Sequence, residues 1–233
     1  MNDINTYLKE IAACNDRIDR FTAEGKMDVV HLACKDLSEY LKHLDSTLPD
    51  SFEASKVLGI GYFDLGSSYR NISMKELAET AYTQAMEYLQ AIIKSDEHKE
   101  FAINQIAACK NHLGLLYMDH GPVNLAIKYL DQAIWDRTYI ADHYPENMYN
   151  KVYLAGATCN RGHVERNAGR PKSAIIRYKD AIAQLEEIIP STDGGITNEV
   201  ASAISNAQGS PHWVTMAQSF LNNARAGLEA AQK

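Results

Sequence analysis

The 233-residue sequence contains no CxxC pair, HExxH box, P-loop, GxSxG elbow or GxGxxG fingerprint. The common metal, nucleotide and acyl-transfer sites therefore have no anchor here. Cysteine is scarce, at four residues. Cys14 and Cys34 could face each other only within a tight hairpin, and a cytoplasmic chain would keep them reduced. No apolar run is long enough to span a membrane, and MNDINTYLKE lacks the basic-then-apolar layout of a signal peptide. A cytoplasmic location is the expectation. Positive charge is also in deficit, with 23 Lys+Arg against 30 Asp+Glu and a formal net charge of -7. That balance argues against nucleic acid or an anionic membrane as the partner. The eight histidines are scattered. His112 and His120, with Asp119 between them, lie more than two helical turns apart, too far to share one ion. No catalytic group, metal or cofactor is expected.

What the chain does have is a period. Gly66, Gly114 and Gly162 fall 48 residues apart. Tyr69 and Tyr117 keep the same register, as do Gly25, Ser73, Gly121 and Gly169. Downstream the columns run Val30, Ala78, Ala126, Ala174, then Cys34, Tyr82, Leu130, Tyr178. Next come Leu37, Ala85, Ala133, Ala181, and finally Leu44, Ile92, Ile140, Ile188. Pro49 and Pro145 each end a second helix, two periods apart, because the residue before proline avoids helical geometry. Each period is a helix–turn–helix hairpin in which small residues admit a close neighbour and Leu, Tyr and Ile fill the space between. Gly59-Ile60-Gly61 lies inside one such helix, where small residues serve packing.

These columns (Leu-Gly, an aromatic, a small turn residue, then Ala, an aromatic and Ala) resemble the tetratricopeptide repeat. The resemblance covers about residues 11–189. It is tightest in the middle two copies, whereas the first has Ile18 in place of Gly and the fourth has Arg161 and Glu165 in place of Leu and Tyr. Its period exceeds the family's usual 34 residues, which requires longer helices. The implied architecture is all-α, a right-handed α-solenoid of stacked hairpins forming one domain over 1–233. Its repeats are approximately 1–48, 49–96, 97–144 and 145–190, followed by a capping region, 191–233.

Taken in order, helices are expected at about 3–23, 27–44, 51–70 and 75–93. Ser73-Met74-Lys75-Glu76 reads as a capping box opening the fourth of these. The third hairpin spans about 99–143. The fourth runs from about 146 through 167, turns at Gly169-Arg170-Pro171 and ends near Ile189. A short helix over 197–207 and a last one from Ser210-Pro211 to Ala230 follow. The last helix, with Trp213, Met216, Phe220, Leu221 and Leu228, is read as a cap over the exposed solenoid end, which has to be covered. The same side chains could instead serve self-assembly.

In the family, the first helices line a concave face that holds an extended peptide. Carried onto this register, the resemblance implies a groove formed by Asn15, Lys56, Phe63, Arg70, Asn71, Asn104, Asn111, Leu115, Met118, His163, Arg166 and Asn167, with Asp19 and Ser67 in the same inner columns. Asparagine is a poor helix-interior residue, so several on one face ask for an explanation. An amide can pair with a peptide backbone, and Arg70 and Arg166 could grip carboxylates bidentately. The family's basic clamp for a peptide C-terminus is not reproduced. The expected role is a non-catalytic protein–protein interaction module that binds an extended peptide or partner helix as an adaptor or scaffold. A ligand- or peptide-responsive sensor and a homo-oligomer assembled through the C-terminal helix are the alternatives.

Overall fold

The structure is a computed structural model that describes residues 4–189 and 212–233. The helix expected over 197–207 and the Ser210-Pro211 cap lie outside the described residues. Within them every regular element is helical. The helices are α1 (Ile4–Ala23), α2 (Met27–Thr47), α3 (Phe52–Asn71), α4 (Lys75–Ile92), a 3-10 turn (Asp96–His98), α5 (Lys99–His120), α6 (Val123–His143), α7 (Met148–Asn167), α8 (Pro171–Ile188) and α9 (His212–Gln232). Two compact units result, Met1–His120 and Gly121–Lys233.

In all four copies the apolar columns form the core. Every member of the columns headed by Val30, Cys34, Leu37 and Leu44 is buried, the most exposed being Ile188 at 8%. In the first unit a Cβ on Gly66 would fall 2.8 Å from the ring of Tyr82, and in the second a Cβ on Gly162 would fall 2.8 Å from the ring of Tyr178. The glycines at 66 and 162 thus do the same job in their hairpins, letting a first helix lie flat on a tyrosine ring of the second. In the first copy Ile18 and Cys34, both buried, take these two positions. The bulk has moved to the other helix. Gly59 and Gly61 are close-approach positions as well, against Leu89 of α4 and Leu41 of α2 respectively.

Three hairpin turns share one hydrogen-bond pattern. Gly25, Ser73 and Gly169 donate to the carbonyls of Thr22, Arg70 and Arg166, each at 3.0 Å. The following residues, Lys26, Met74 and Arg170, donate to Phe21, Tyr69 and Glu165 at 2.9–3.0 Å. This is the paired closure of a Schellman C-cap, which needs a left-handed residue at its centre. The φ values there are 70°, 61° and 71°. The capping box expected at Ser73 is therefore absent. Met74 precedes α4 with no side-chain cap, while Ser73 is spent ending α3 in a conformation that favours glycine. Elsewhere the punctuation matches the reading, with Ser51 accepting from the Ala54 amide at 3.1 Å and Leu48 and Tyr144 closing the helices ahead of the prolines.

The fourth copy solves its Leu and Tyr substitutions with charge. Arg161 and Glu165, four apart on α7, are buried and meet at 2.5 Å. Arg161 Nε also donates to Asp131 of α6 at 2.8 Å, and Arg170 approaches the second oxygen of Glu165 at 3.5 Å. Each buried charge thus has a partner, as burial demands. The C-terminal helix covers this copy: Ala217 and Leu221 join Val152, Ala155 and Leu185 in one cluster, with Trp213, Met216 and Phe220 packed on it. Phe220 lies on Gly156, and Gly227 closes over Tyr178 on α8. The apolar side chains considered for self-assembly are thus turned onto their own unit.

Two stability outcomes follow from these contacts. Gly66→Ala should destabilise by about 1–3 kcal/mol through overpacking, less any gain in helix propensity, and adding Tyr82→Leu should recover part of the loss. Urea melts of the single and double variants test this, and additive effects would refute the contact. Ser73→Gly should raise stability by up to about 1 kcal/mol by removing left-handed strain, a gain of roughly 2–4 °C in melting temperature. A lowered melting temperature would show that Ser73 contributes something its backbone angle does not reveal.

Candidate functional site

In the first unit α1 and α3 enclose an open groove of about 320 Å³ lined by Ala12, Asn15, Asp16, Asp19, Asp64, Ser67, Ser68 and Asn71. Two of the twelve expected site residues, Asn15 and Asn71, are brought together here, with Asp19 and Ser67 from the same inner columns. The Asn15 amide donates from Nδ2 to Asp64 Oδ2 at 2.8 Å. Its Oδ1 is sealed from solvent and has no hydrogen-bond partner. Burial pushes the Asp64 carboxyl up to about 6, and the nearby Asp19 carboxylate adds to the rise, while the Asn15 hydrogen bond opposes it.

Asp64 was not among the expected residues. The signal was present, since Asp16 and Asp64 are 48 apart and follow Asn15 and Phe63 directly. What the sequence does not encode locally is that the amide of one copy would reach the carboxylate of the next.

Beside the groove runs a hydrogen-bonded chain. The Tyr82 hydroxyl donates to Ser67 Oγ at 3.2 Å and lies 3.0 Å from His112 Nδ1, while Ser67 donates to the Phe63 carbonyl at 3.1 Å. These contacts are mutually consistent when His112 carries its proton on Nδ1 and donates to the tyrosine oxygen. Phe63 meets the His112 ring edge-on with centroids 5.2 Å apart. In the second unit the Tyr178 hydroxyl lies 2.8 Å from His163 Nδ1, and His163 Nε2 lies 3.5 Å from Cys159 Sγ. Burial lowers the His163 pKa and the nearby Arg166 lowers it further, so the ring stays neutral at physiological pH. Burial also pushes the Cys159 thiol up to about 12, which leaves it unreactive. His163 is therefore committed to the core tyrosine.

The remaining expected residues are spread more widely. Lys56 holds its ammonium 5.0 Å from the centre of the Phe101 ring. Arg70 Nη2 stands 3.8 Å from Asp119 Oδ2, with the two side chains 25% and 42% exposed, an ion pair worth little to stability but enough to draw the arginine aside. Asn104, Asn111, Leu115 and Met118 are half-buried on α5; in the second unit Arg166 is half-buried and Asn167 exposed at the end of α7.

No family model matches the sequence, and no curated protein matches it. Solved structures do. BtubC (BKLC) from P. vanneervenii is similar over 100% of this chain and 91% of its own, with a TM-score of 0.55 and 14% identity. A Podosopora anserina chain described as a kinesin light chain of nearly identical TPR-like repeats is similar over 97% of this chain and 98% of its own, with a TM-score of 0.53 and 18% identity. The fold is that of the tetratricopeptide-like helical repeats, an all-α arrangement of helix hairpins. Among the described residues no helix is long and apolar enough to cross a membrane.

Because folding raises the Asp64 pKa above its usual value, the native state holds this proton more tightly than the unfolded chain does. The ionised carboxylate therefore costs stability, a cost that grows as pH rises from about 4 to about 6 and is constant above. Asp64→Asn should melt higher than the parent at pH 7.5, by roughly 2–4 °C, and the difference should vanish by about pH 4. A difference independent of pH would locate the effect in packing rather than ionisation.

Proposed function

We propose that the chain, over 1–233, acts as a non-catalytic interaction module that holds an extended peptide against its first helices, in the manner of an adaptor or scaffold. The observation that carries this reading is the α1–α3 groove, where polar side chains of two successive first helices converge on one cavity in a tetratricopeptide-like fold. A groove lined by amide, hydroxyl and carboxylate groups suits backbone pairing along a strand-like guest. Further support comes from the chemistry of the other polar clusters. The Cys159 thiol is protonated, His163 is neutral and bound to Tyr178, and the Tyr82–His112 pair is tied to Ser67. None of these presents a nucleophile with its base to an open cavity, as covalent catalysis requires.

In the first unit Lys56, Phe63, Arg70, Asn104, Asn111, Leu115 and Met118 are the proposed extension of that surface along the first helices; in the second unit His163, Arg166 and Asn167 on α7 are proposed as binding residues of that unit. A display library of extended peptides panned against the full chain should yield binders. Alanine at both Asn15 and Asn71 should weaken them about fivefold or more, the scale of one or two lost hydrogen bonds. Alanine at Thr80 and Thr83, exposed on α4, should leave them unchanged. Circular dichroism and melting temperature provide the folding control. Binding that survives the Asn15 and Asn71 changes would place the guest elsewhere.

A further inference from the structure

We infer that the outer face of α6 is a self-association surface, on which a second copy of this chain packs its own α6 antiparallel about a two-fold axis at Trp135. The inference is independent of the peptide-binding reading, and the C-terminal helix takes no part in it.

α6 turns Ala126, Leu130, Ala133, Arg137 and Ile140 into its own unit. Trp135 lies on the opposite side of the helix. Lys128 and Asp142 stand seven residues before and after it, which leaves each within about 20° of the same line on a helix. Trp135 is 71% exposed, more than any other large apolar side chain among the described residues. Covering a tryptophan removes on the order of 200 Å² from water, and tryptophan is enriched at the energetic centres of interfaces. A single exposed apolar side chain is ordinary on a protein surface. The charges around this one are what identify its partner.

Lys128 and Asp142 are both exposed, and among the described residues neither is held in an ion pair. The other charges near the stripe are already engaged or balanced. Asp131 accepts from Arg161 Nε at 2.8 Å. His143 stacks on Tyr139 and has its Nδ1 2.8 Å from the Tyr139 carbonyl oxygen. Asp142 borders a cleft that also holds Lys151 and Glu187, one of each sign.

A two-fold axis through Trp135, perpendicular to α6, exchanges positions 128 and 142. Trp135 then meets Trp135 of the second copy, and a lysine faces an aspartate at both ends of the seam. The same stripe serves both sides, as an isologous contact requires. Gln132 comes to face Tyr139 along one flank, and Asp131 faces Thr138 along the other, with no like-charge contact added. A parallel pairing would set lysine on lysine and aspartate on aspartate, which is repulsive at both ends. The charges therefore select the antiparallel arrangement. The stripe is about 21 Å long at the helical rise. One helix-on-helix contact of that length buries less than the roughly 1,600 Å² of a standard interface, so the dimer is weak and depends on concentration.

Sedimentation velocity on the full chain, from about 1 to about 500 µM, should show the weight-average mass rising toward that of a dimer. Trp135→Ala should weaken association about tenfold or more. Lys128→Asp and Asp142→Lys, measured separately, should each weaken it as well, because each sets like charges together at both ends of the seam. An equal mixture of these two variants should restore association, since their heterodimer has opposite charges at both ends. Ile176→Ala, at an exposed apolar position on α8, should change nothing. All of these positions are exposed, and circular dichroism provides the folding control.

A mass that stays monomeric across the range overturns the inference. Association that survives Trp135→Ala overturns it too, by placing the contact elsewhere. A mixture no tighter than its two components would rule out the antiparallel register.

Discussion

A tyrosine ring lying flat on a glycine is the contact on which the rest of the structure depends. It occurs at Gly66 with Tyr82 and again at Gly162 with Tyr178, where any side chain on the glycine would overlap the ring. The glycine brings the two helices of a hairpin close, and the small residues Ala78 and Ala85, or Ala174 and Ala181, continue the approach one turn to either side. The ring fills the crossing. Its hydroxyl emerges on the far side, among the polar residues of the first helices. Packing thereby decides polar chemistry: Ser67 and His112 are bound by Tyr82, and His163 by Tyr178. A leucine at the same position, as at Leu130, fills volume but brings no hydroxyl.

The same logic explains the cap. Tyr178 has Gly162 on one side and needs a neighbour on the other, and α9 supplies Gly227 there. A close-fitting backbone, rather than a large apolar residue, covers the last ring, and the bulk of Phe220 goes to Gly156 instead. The helix thus takes the position of a first helix from one more hairpin without repeating its sequence. Its lack of register with the 48-residue period is no obstacle, because only shape has to match.

The period and the buried columns were legible because burial recurs with the chain, and a small residue at one position leaves a mark at the next copy. The turn at Ser73 was not. Between Asn71 and Lys75 only three residues separate two helices, and a Ser followed three residues later by Glu satisfies the pattern for opening a helix. The same Ser must also reverse the chain, and the carbonyls at the end of α3 had the prior claim on it. Short linkers make start and stop signals overlap, and hydrogen-bond closure of the preceding helix wins. In the fourth copy Arg161 and Glu165 read as a weakening of the repeat, yet their spacing of four lets them neutralise each other inside the same helix stack.

For the candidate site, the sequence could place side chains on a face but not say which of them folding would use up. Lys56, Arg70 and His163 belong to the inner columns, and each is drawn to a partner within its own unit: a ring, a carboxylate, a tyrosine hydroxyl. Cations and a ring nitrogen find such partners readily in a chain with more carboxylates than bases. Asp16, Asp19 and Asp64 instead border one groove of the first unit, with no ion-pair partner among the described residues.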